Sequence, residues 1–174
     1  RNLLMMGQGG GKTNTMGNLS YLLSQNVPDV MGLIAANTYR QLTNSTLKEI
    51  FKQWASLGFT KYTEANPSGS YVIDRTPPKT FTPHKYIFRD NDSKIYCKNG
   101  AVIVVASLDN YMALEGMELG WALLDETEAT KEEAVTEVIT ARLREKGLYK
   151  SDGDYPFSHT GTVPVTPSFV VTKP

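Results

Sequence analysis

The stretch Leu3-Leu4-Met5-Met6-Gly7-Gln8-Gly9-Gly10-Gly11-Lys12-Thr13-Asn14-Thr15-Met16 decides how the rest of the chain is read. An apolar run, Leu3 to Met6, enters a loop built almost wholly of glycine. Beyond it Met16, Leu19 and Leu23 recur at i, i+3 and i+7, the spacing of one helix face. The unit is therefore strand, glycine loop, helix. Glycine lets the backbone curl until successive N–H groups point at one spot, and the start of the helix adds about half a positive charge there. Such a turn cradles phosphate oxygens. In that frame Gly7, Gln8, Gly9, Gly10, Gly11, Lys12, Thr13 and Asn14 form a nucleotide-phosphate site, with Lys12 at the β- and γ-phosphates and the Thr13 hydroxyl on Mg²⁺. The bland reading, a flexible turn with an incidental lysine, does not account for the strand before it and the helix after it. One departure stands out: the usual pattern has glycine five residues before Gly11, and here that residue is Met6.

Working outward, Met31 to Ala36 follows a Pro28-Asp29 turn and reads as a buried strand. Leu47, Ile50, Phe51 and Trp54 make the stripe of a second helix, with Asn44 or Ser45 as N-cap and Gly58 as stop. The β-α-β-α order predicts an α/β fold with a mainly parallel sheet flanked by helices. Residues 59–92, with Pro67, Pro77, Pro78 and Pro83, read as an excursion or flap, with Tyr86-Ile87-Phe88 as a short strand. Lys94 to Lys98 and Ala101 to Ala106 flank Asn99-Gly100, which predicts an inserted β-hairpin with a two-residue turn. Trp121 to Leu124 is another buried strand. A helix follows from about Lys131 to Lys146, with Ala134, Val135, Val138, Ile139 and Leu143 inward, and Thr160 to Val163 reads as a last strand.

The buried strand ends in Asp125-Glu126. That places two carboxylates at the carboxyl edge of the sheet, where open α/β folds bind ligands. Asp125 suits Mg²⁺, a hard cation that takes oxygen ligands, and Glu126 suits orienting and deprotonating an attacking water. Alone, a strand ending in acids is commonplace; beside the glycine loop it completes a nucleotide-hydrolysing pair. Thr160-Gly161-Thr162 is a candidate γ-phosphate sensor, although such a triplet is also an ordinary turn.

The 174 residues, 40% hydrophobic and 21% charged, suit a single domain over 1–174. Lysine plus arginine equals aspartate plus glutamate at 18 each, so no bulk field favours DNA, a membrane or an acidic partner. One cysteine, Cys97, rules out an internal disulfide framework and reads as structural. His84 and His159 read as loop residues, not metal ligands. No apolar run approaches the roughly 18 residues of a membrane helix. Beginning at Arg1, directly before an apolar strand, the chain reads as a fragment of something longer.

The ordered set of these pieces resembles the large terminase subunits that package DNA in tailed bacteriophages. The pieces are Gly7 to Thr13; Ala36-Asn37-Thr38-Tyr39-Arg40-Gln41-Leu42; the Asn99-Gly100 hairpin leading to Ala106-Ser107-Leu108-Asp109-Asn110; Leu114-Glu115-Gly116 before Asp125-Glu126; and Thr160-Gly161-Thr162. Glu115 to Thr127 is most similar to terminases of crAss-like gut phages. The resemblance implies a P-loop NTPase of the additional-strand catalytic-glutamate (ASCE) type, using ATP and Mg²⁺. It also implies a motor that drives double-stranded DNA into a procapsid, as a homo-oligomeric ring in the host cytoplasm docked on the portal protein, with a small terminase subunit as partner. It further implies an adenine-binding segment before Arg1 and a C-terminal nuclease beyond this chain, and a coupling role for Thr160, Gly161 and Thr162. A helicase- or recombinase-like ATPase shares the Asp-Glu chemistry but calls for further motifs that are not found. A switch GTPase calls for Asn-Lys-x-Asp, which does not occur.

The arginines usual in the resembling family, one inside the phosphate loop or one before the acidic strand that acts on the neighbouring subunit, have no counterpart: the loop position is Gln8 and the position before the acidic strand is Glu115. Arg142 and Arg144 remain, with Arg40 in reserve. At 100° per residue Arg142 falls within about 20° of Val135 on the inner face, paired to an acid at the sheet edge, while Arg144 points outward as the candidate arginine finger.

Overall fold

The computed structural model describes residues 2–5, 11–88, 93–125, 134–139, 142–143 and 169–173. Its elements in chain order are β1 (Asn2–Met5), α1 (Lys12–Asn26), β2 (Met31–Ala36), α2 (Tyr39–Gln41), a π-helical turn (Leu42–Thr46), α3 (Leu47–Ser56), β3 (Tyr71–Ile73), β4 (Lys94–Cys97) and β5 (Val102–Ser107). A 3₁₀ segment (Leu108–Leu114), β6 (Trp121–Asp125), a π-helical segment (Ala134–Ile139) and β7 (Phe169–Lys173) complete it.

All seven strands form one sheet in the order β1-β7-β6-β2-β5-β4-β3. The run from β1 to β5 is parallel, and β4 and β3 extend it antiparallel. The fold is thus the mainly parallel α/β sheet with an inserted hairpin that the sequence predicts. The parallel strands carry apolar residues on both faces because both faces are covered: β2 and β6 are buried throughout.

One face packs against α1 and α3, through Met16, Ile50 and Trp54 on the helices and Ile34, Ile103, Trp121 and Leu123 on the strands. The opposite face carries Leu33, Val104, Ala122 and Leu124 under Leu108, Leu114, Leu119, Val135, Ile139 and Leu143. The two helices approach closely because α1 turns Gly17, Ser20 and Ser24 inward with Met16. A Cβ at Gly17 would sit 2.8 Å from the Cβ of Gln53. Leu19 and Leu23, expected as the inner face, pack only at its margin.

Three expectations are corrected. The second helical run is capped by Thr38, whose side chain accepts from the Gln41 N–H, and not by Asn44 or Ser45, which fall inside the continuous helical path. Gly58, at φ +77°, does end it. Tyr86 to Phe88 is not a strand; the excursion instead contributes β3, paired with β4, so it widens the sheet. The hairpin loop is Lys98-Asn99-Gly100, three residues long, since Cys97 and Ala101 still face each other through a 2.9 Å hydrogen bond. Gly100, at φ +99°, donates to the Cys97 carbonyl, giving a type I turn closed by a left-handed glycine. The last strand described is β7; the expected strand at Thr160 to Val163 lies outside the described residues.

Candidate active site at the carboxyl edge

Gly11 caps α1 in the left-handed region, φ +76° and ψ 20°, where a residue with a Cβ is strained although nothing crowds the position. Its carbonyl accepts from the Thr15 N–H at 2.9 Å and the Thr15 hydroxyl at 3.1 Å, so the first turn is closed by the chain itself. Lys12, Thr13 and Asn14 follow on that turn. They line a cleft of about 470 Å³ with Glu49, Lys52, Gln53 and Ser56 of α3. Gln53 donates to the Asn18 Oδ1 at 2.9 Å, a link between α3 and α1. Gly7, Gln8, Gly9 and Gly10 lie outside the described residues.

Asp125 ends β6 on the α1–α3 face, two residues beyond Leu123 and four beyond Trp121, in the two-residue period of a strand. It is level with Ala36 of β2 and only 4% exposed. A buried carboxylate is costly unless hydrogen-bonded, and the Thr46 hydroxyl donates to its Oδ2 at 2.7 Å. Glu126, next in the chain, lies outside the described residues.

β7 runs between β1 and β6. Leu4 of β1 pairs with Thr172 and Met5 with Lys173, while Leu124 of β6 pairs with Val171. Thr172 is therefore level with Asp125 on one side and one step from the mouth of the glycine loop on the other. Thr160, Gly161 and Thr162 lie outside the described residues, and the carboxyl end of the strand that separates the loop strand from the aspartate strand carries Thr172-Lys173. Sequence reasoning missed this end; its signal was the apolar run Phe169-Val170-Val171 stopping at a hydroxyl.

The arginines divide by edge. The Arg142 carbonyl accepts from the Leu119 N–H at 2.8 Å. Leu119 precedes β6, so Arg142 sits at the amino edge, roughly 20 Å from Asp125 at about 3.3 Å per residue. Its side-chain Nε is buried with no hydrogen-bond partner among the described residues. Arg40, exposed on α2 directly after β2, is at the carboxyl edge. Glu115 is exposed on the turn closed by Gly116 at φ +84°, a carboxylate where the resembling family carries arginine. Arg144 lies outside the described residues.

A magnesium ion keeps several waters and takes few protein ligands beside substrate phosphates. One hydroxyl on the first turn of α1 and one buried, hydrogen-bonded carboxylate at the same edge fit that demand. Among the described residues no three His, Cys, Asp or Glu side chains converge, so no all-protein cage competes with it. The His84 Nε2–H donates to the Cys97 carbonyl at 2.8 Å. Burial pushes the Cys97 thiol up to about 12, which leaves it inert. No described helix is long and apolar enough to cross a membrane.

No protein-family model matches the sequence, and no curated protein matches it. Among solved structures, the chain is similar to an arginine-to-alanine variant of the large terminase ATPase domain of Thermus phage P74-26, at a TM-score of 0.53 and 13% identity. The match covers 99% of this chain and 58% of that one, so this chain spans little more than half its length. A second structure of that ATPase domain matches at a TM-score of 0.49 and 18% identity, over 82% of this chain and 54% of the other. At such an identity the first likeness is one of fold: the sheet and its helices are arranged as in that ATPase domain.

Proposed function

We propose that this chain is an ATP-hydrolysing motor domain of the large-terminase kind, driving double-stranded DNA into a viral procapsid. The observation that carries the reading is a left-handed glycine opening α1, with Lys12 and Thr13 on its first turn, in a sheet whose strand β6 ends in the buried Asp125. The shared fold supports it, and the stretch Glu115 to Thr127 supports a crAss-like phage origin.

In this reading Gly7 to Asn14 hold the triphosphate and Lys12 spreads the charge of the β- and γ-phosphates. Bound Mg²⁺, held by Thr13 and Asp125, supplies charge neutralisation on the same oxygens. Glu126 takes a proton from water as the water oxygen attacks the γ-phosphorus; the bond to the bridging oxygen breaks and ADP leaves with that electron pair. Thr160 to Thr162, or Thr172 at the end of β7, reports the loss of the γ-phosphate to the rest of the motor. Ring neighbours supply the missing cation, with Arg144 first and Arg40 second as candidates. DNA, the portal protein and a small subunit are the partners, with the motor docked on the procapsid portal in the host cytoplasm.

In the assembled motor, Lys12→Ala should lose nucleotide affinity, while Glu126→Gln should keep it and hydrolyse ATP at least a hundredfold more slowly, the scale of a lost general base. Turnover by Glu126→Gln at the wild-type rate removes Glu126 from the mechanism.

A further inference from the structure

We propose that Thr46 is a positioning residue for the Asp125 carboxylate, and that the π-helical turn Leu42–Thr46 exists to deliver it. The inference rests on the reading of Asp125 as the Mg²⁺ aspartate and adds a residue to it.

The two side chains are 79 positions apart in sequence, yet the Thr46 Oγ1 is 2.7 Å from the Asp125 Oδ2, within the range of a charge-assisted hydroxyl–carboxylate hydrogen bond. Both are enclosed: Thr46 is 1% exposed and Asp125 4%. An ionised carboxylate accepts only, so the proton in this contact belongs to threonine.

The local backbone explains why this hydroxyl is available. A helical threonine commonly turns its Oγ1 onto the carbonyl three or four residues back. Thr43 of the same turn does so, donating toward the Tyr39 carbonyl at 3.0 Å. At Thr46 the ladder has widened, the Leu47 N–H reaching back to the Leu42 carbonyl, and the hydroxyl turns to Asp125 instead. The same widened turn sets the direction. Leu42, Thr46, Ile50 and Trp54 are all buried at a spacing of four. On a regular α-helix that spacing drifts by about 40° per step, so Leu42 and Trp54 would face different sides. The π turn takes up part of the drift and keeps one inward stripe, with Thr46 where β6 ends. Single π turns inside helices mark functional sites often enough for the coincidence to carry weight.

The consequence is orientational. A carboxylate at a strand end can rotate about its last bond, and a donor fixed on Oδ2 sets the plane in which the other oxygen stands. Thr46 is itself stiff, because its branched Cβ limits χ1 and both faces are packed. It thus acts on a metal ligand as outer partners do in metal sites, where their loss costs roughly 10–100-fold in metal affinity or activity.

The test measures binding, not turnover, in the full-length protein: ADP affinity with and without Mg²⁺ for wild type, Thr46→Val, Thr46→Ser and Asp125→Asn. Thr46→Val keeps the shape and removes the donor. It should weaken Mg²⁺-supported ADP binding by roughly 10–100-fold while leaving Mg²⁺-free ADP binding unchanged, and Thr46→Ser should restore the wild-type Mg²⁺ dependence. Should Thr46→Val fail to fold, Thr46→Cys, whose thiol is a weak donor, takes its place with the same outcomes. Wild-type Mg²⁺ dependence in the donorless variant overturns the proposal if Asp125→Asn has lost that dependence. If Asp125→Asn keeps it too, the assignment of Asp125 to the metal has failed first. Equal losses with and without Mg²⁺ would also overturn the proposal, since they mark a packing role alone.

Discussion

The two faces of the sheet are built from different chemistry. Every buried polar residue described, Ser20, Ser24, Thr46 and Asp125, lies on or under the face covered by α1 and α3. The face under Leu108, Leu114, Leu119, Val135, Ile139 and Leu143 is closed by apolar side chains. On the first face each polar group has its partner: Ser20 and Ser24 donate to the Gly17 and Tyr21 carbonyls, and Trp54 Nε1 donates at 3.0 Å to both the Gly17 carbonyl and Ser20 Oγ. Such a seam is demanding, because a buried donor or acceptor left alone costs more than the bond contributes. It fixes the spacing and rotation of α1 against α3, and these are the helices that carry Lys12 and lead from Thr46. The apolar face supports the sheet without that precision.

The harshest way to test the contrast is Trp54→Ala. Trp54 is fully buried, meets Phe51, Phe59 and Tyr71 edge-on at 5.0–5.5 Å, and holds the seam. Removing it should cost about 3–5 kcal/mol in urea unfolding. The comparison sharpens with Leu119→Ala on the other face, expected to cost about 2–5 kcal/mol through its cavity, but to leave nucleotide affinity intact. Trp54→Phe keeps most of the volume and removes the donor that ties Gly17 and Ser20 of α1 to α3, so it should weaken nucleotide binding. If Leu119→Ala weakens it as much as Trp54→Phe does, the faces do not differ in the way described.

A smaller effect comes from Gly32→Ala. Gly32 of β2 pairs with Trp121 of β6, and the indole lies across it, so a Cβ there would run into the ring. Overpacking of this kind costs about 1–3 kcal/mol. Gly58→Ala is the control: its φ is +77° and nothing lies within 4 Å, so only the left-handed backbone is penalised, at about 1–2 kcal/mol. Combining Gly32→Ala with Trp121→Leu should recover much of the first loss and none of the second. Additive losses would mean the ring is not what the methyl meets.

Where the chain speaks through period and punctuation, the fold was legible. The start of α1 at Lys12 behind Gly11, the buried run Met31–Ala36 and Asp125 at the end of β6 all sit where reading the residues puts them, since each is a local pattern. What escaped is non-local. The cap at Thr38 was hidden because the π turn lets Asn44 and Ser45, good caps in isolation, continue a helix that has already begun. Tyr71–Ile73 is too short to announce itself and becomes a strand only because β4 offers an edge. Thr46 looked like one hydroxyl among several, Thr43 and Ser45 included, and acquires meaning from a carboxylate 79 positions away. Phe169–Lys173 went unread because a five-residue run near the end of the chain carries no turn signal or period of its own, and it becomes a strand only between β1 and β6.

The mildest effect probes a polar group on the otherwise apolar side. His84 sits against Tyr96, whose side chain shares the second face with Val72, Phe81 and Val102, at 5.1 Å between ring centres. Burial pushes its pKa below the ordinary 6.5, and the hydrogen bond to the Cys97 carbonyl opposes that only in part. The folded state therefore holds fewer protons than the unfolded chain between that lowered value and 6.5. Stability rises with pH wherever the unfolded state binds more protons. The contribution of His84 is thus fully present above 6.5, and it fades as the pH falls from there toward the folded-state value. Because the imidazole is only half-buried, solvent keeps the effect small, and it is best read as a difference. Unfolding midpoints for wild type and His84→Gln, taken between pH 7.5 and 5, should converge as the pH drops, with the wild type losing more. A constant gap across that range would mean that the imidazole pays no penalty for charging in place, and that the second face is open to water at the Cys97 turn.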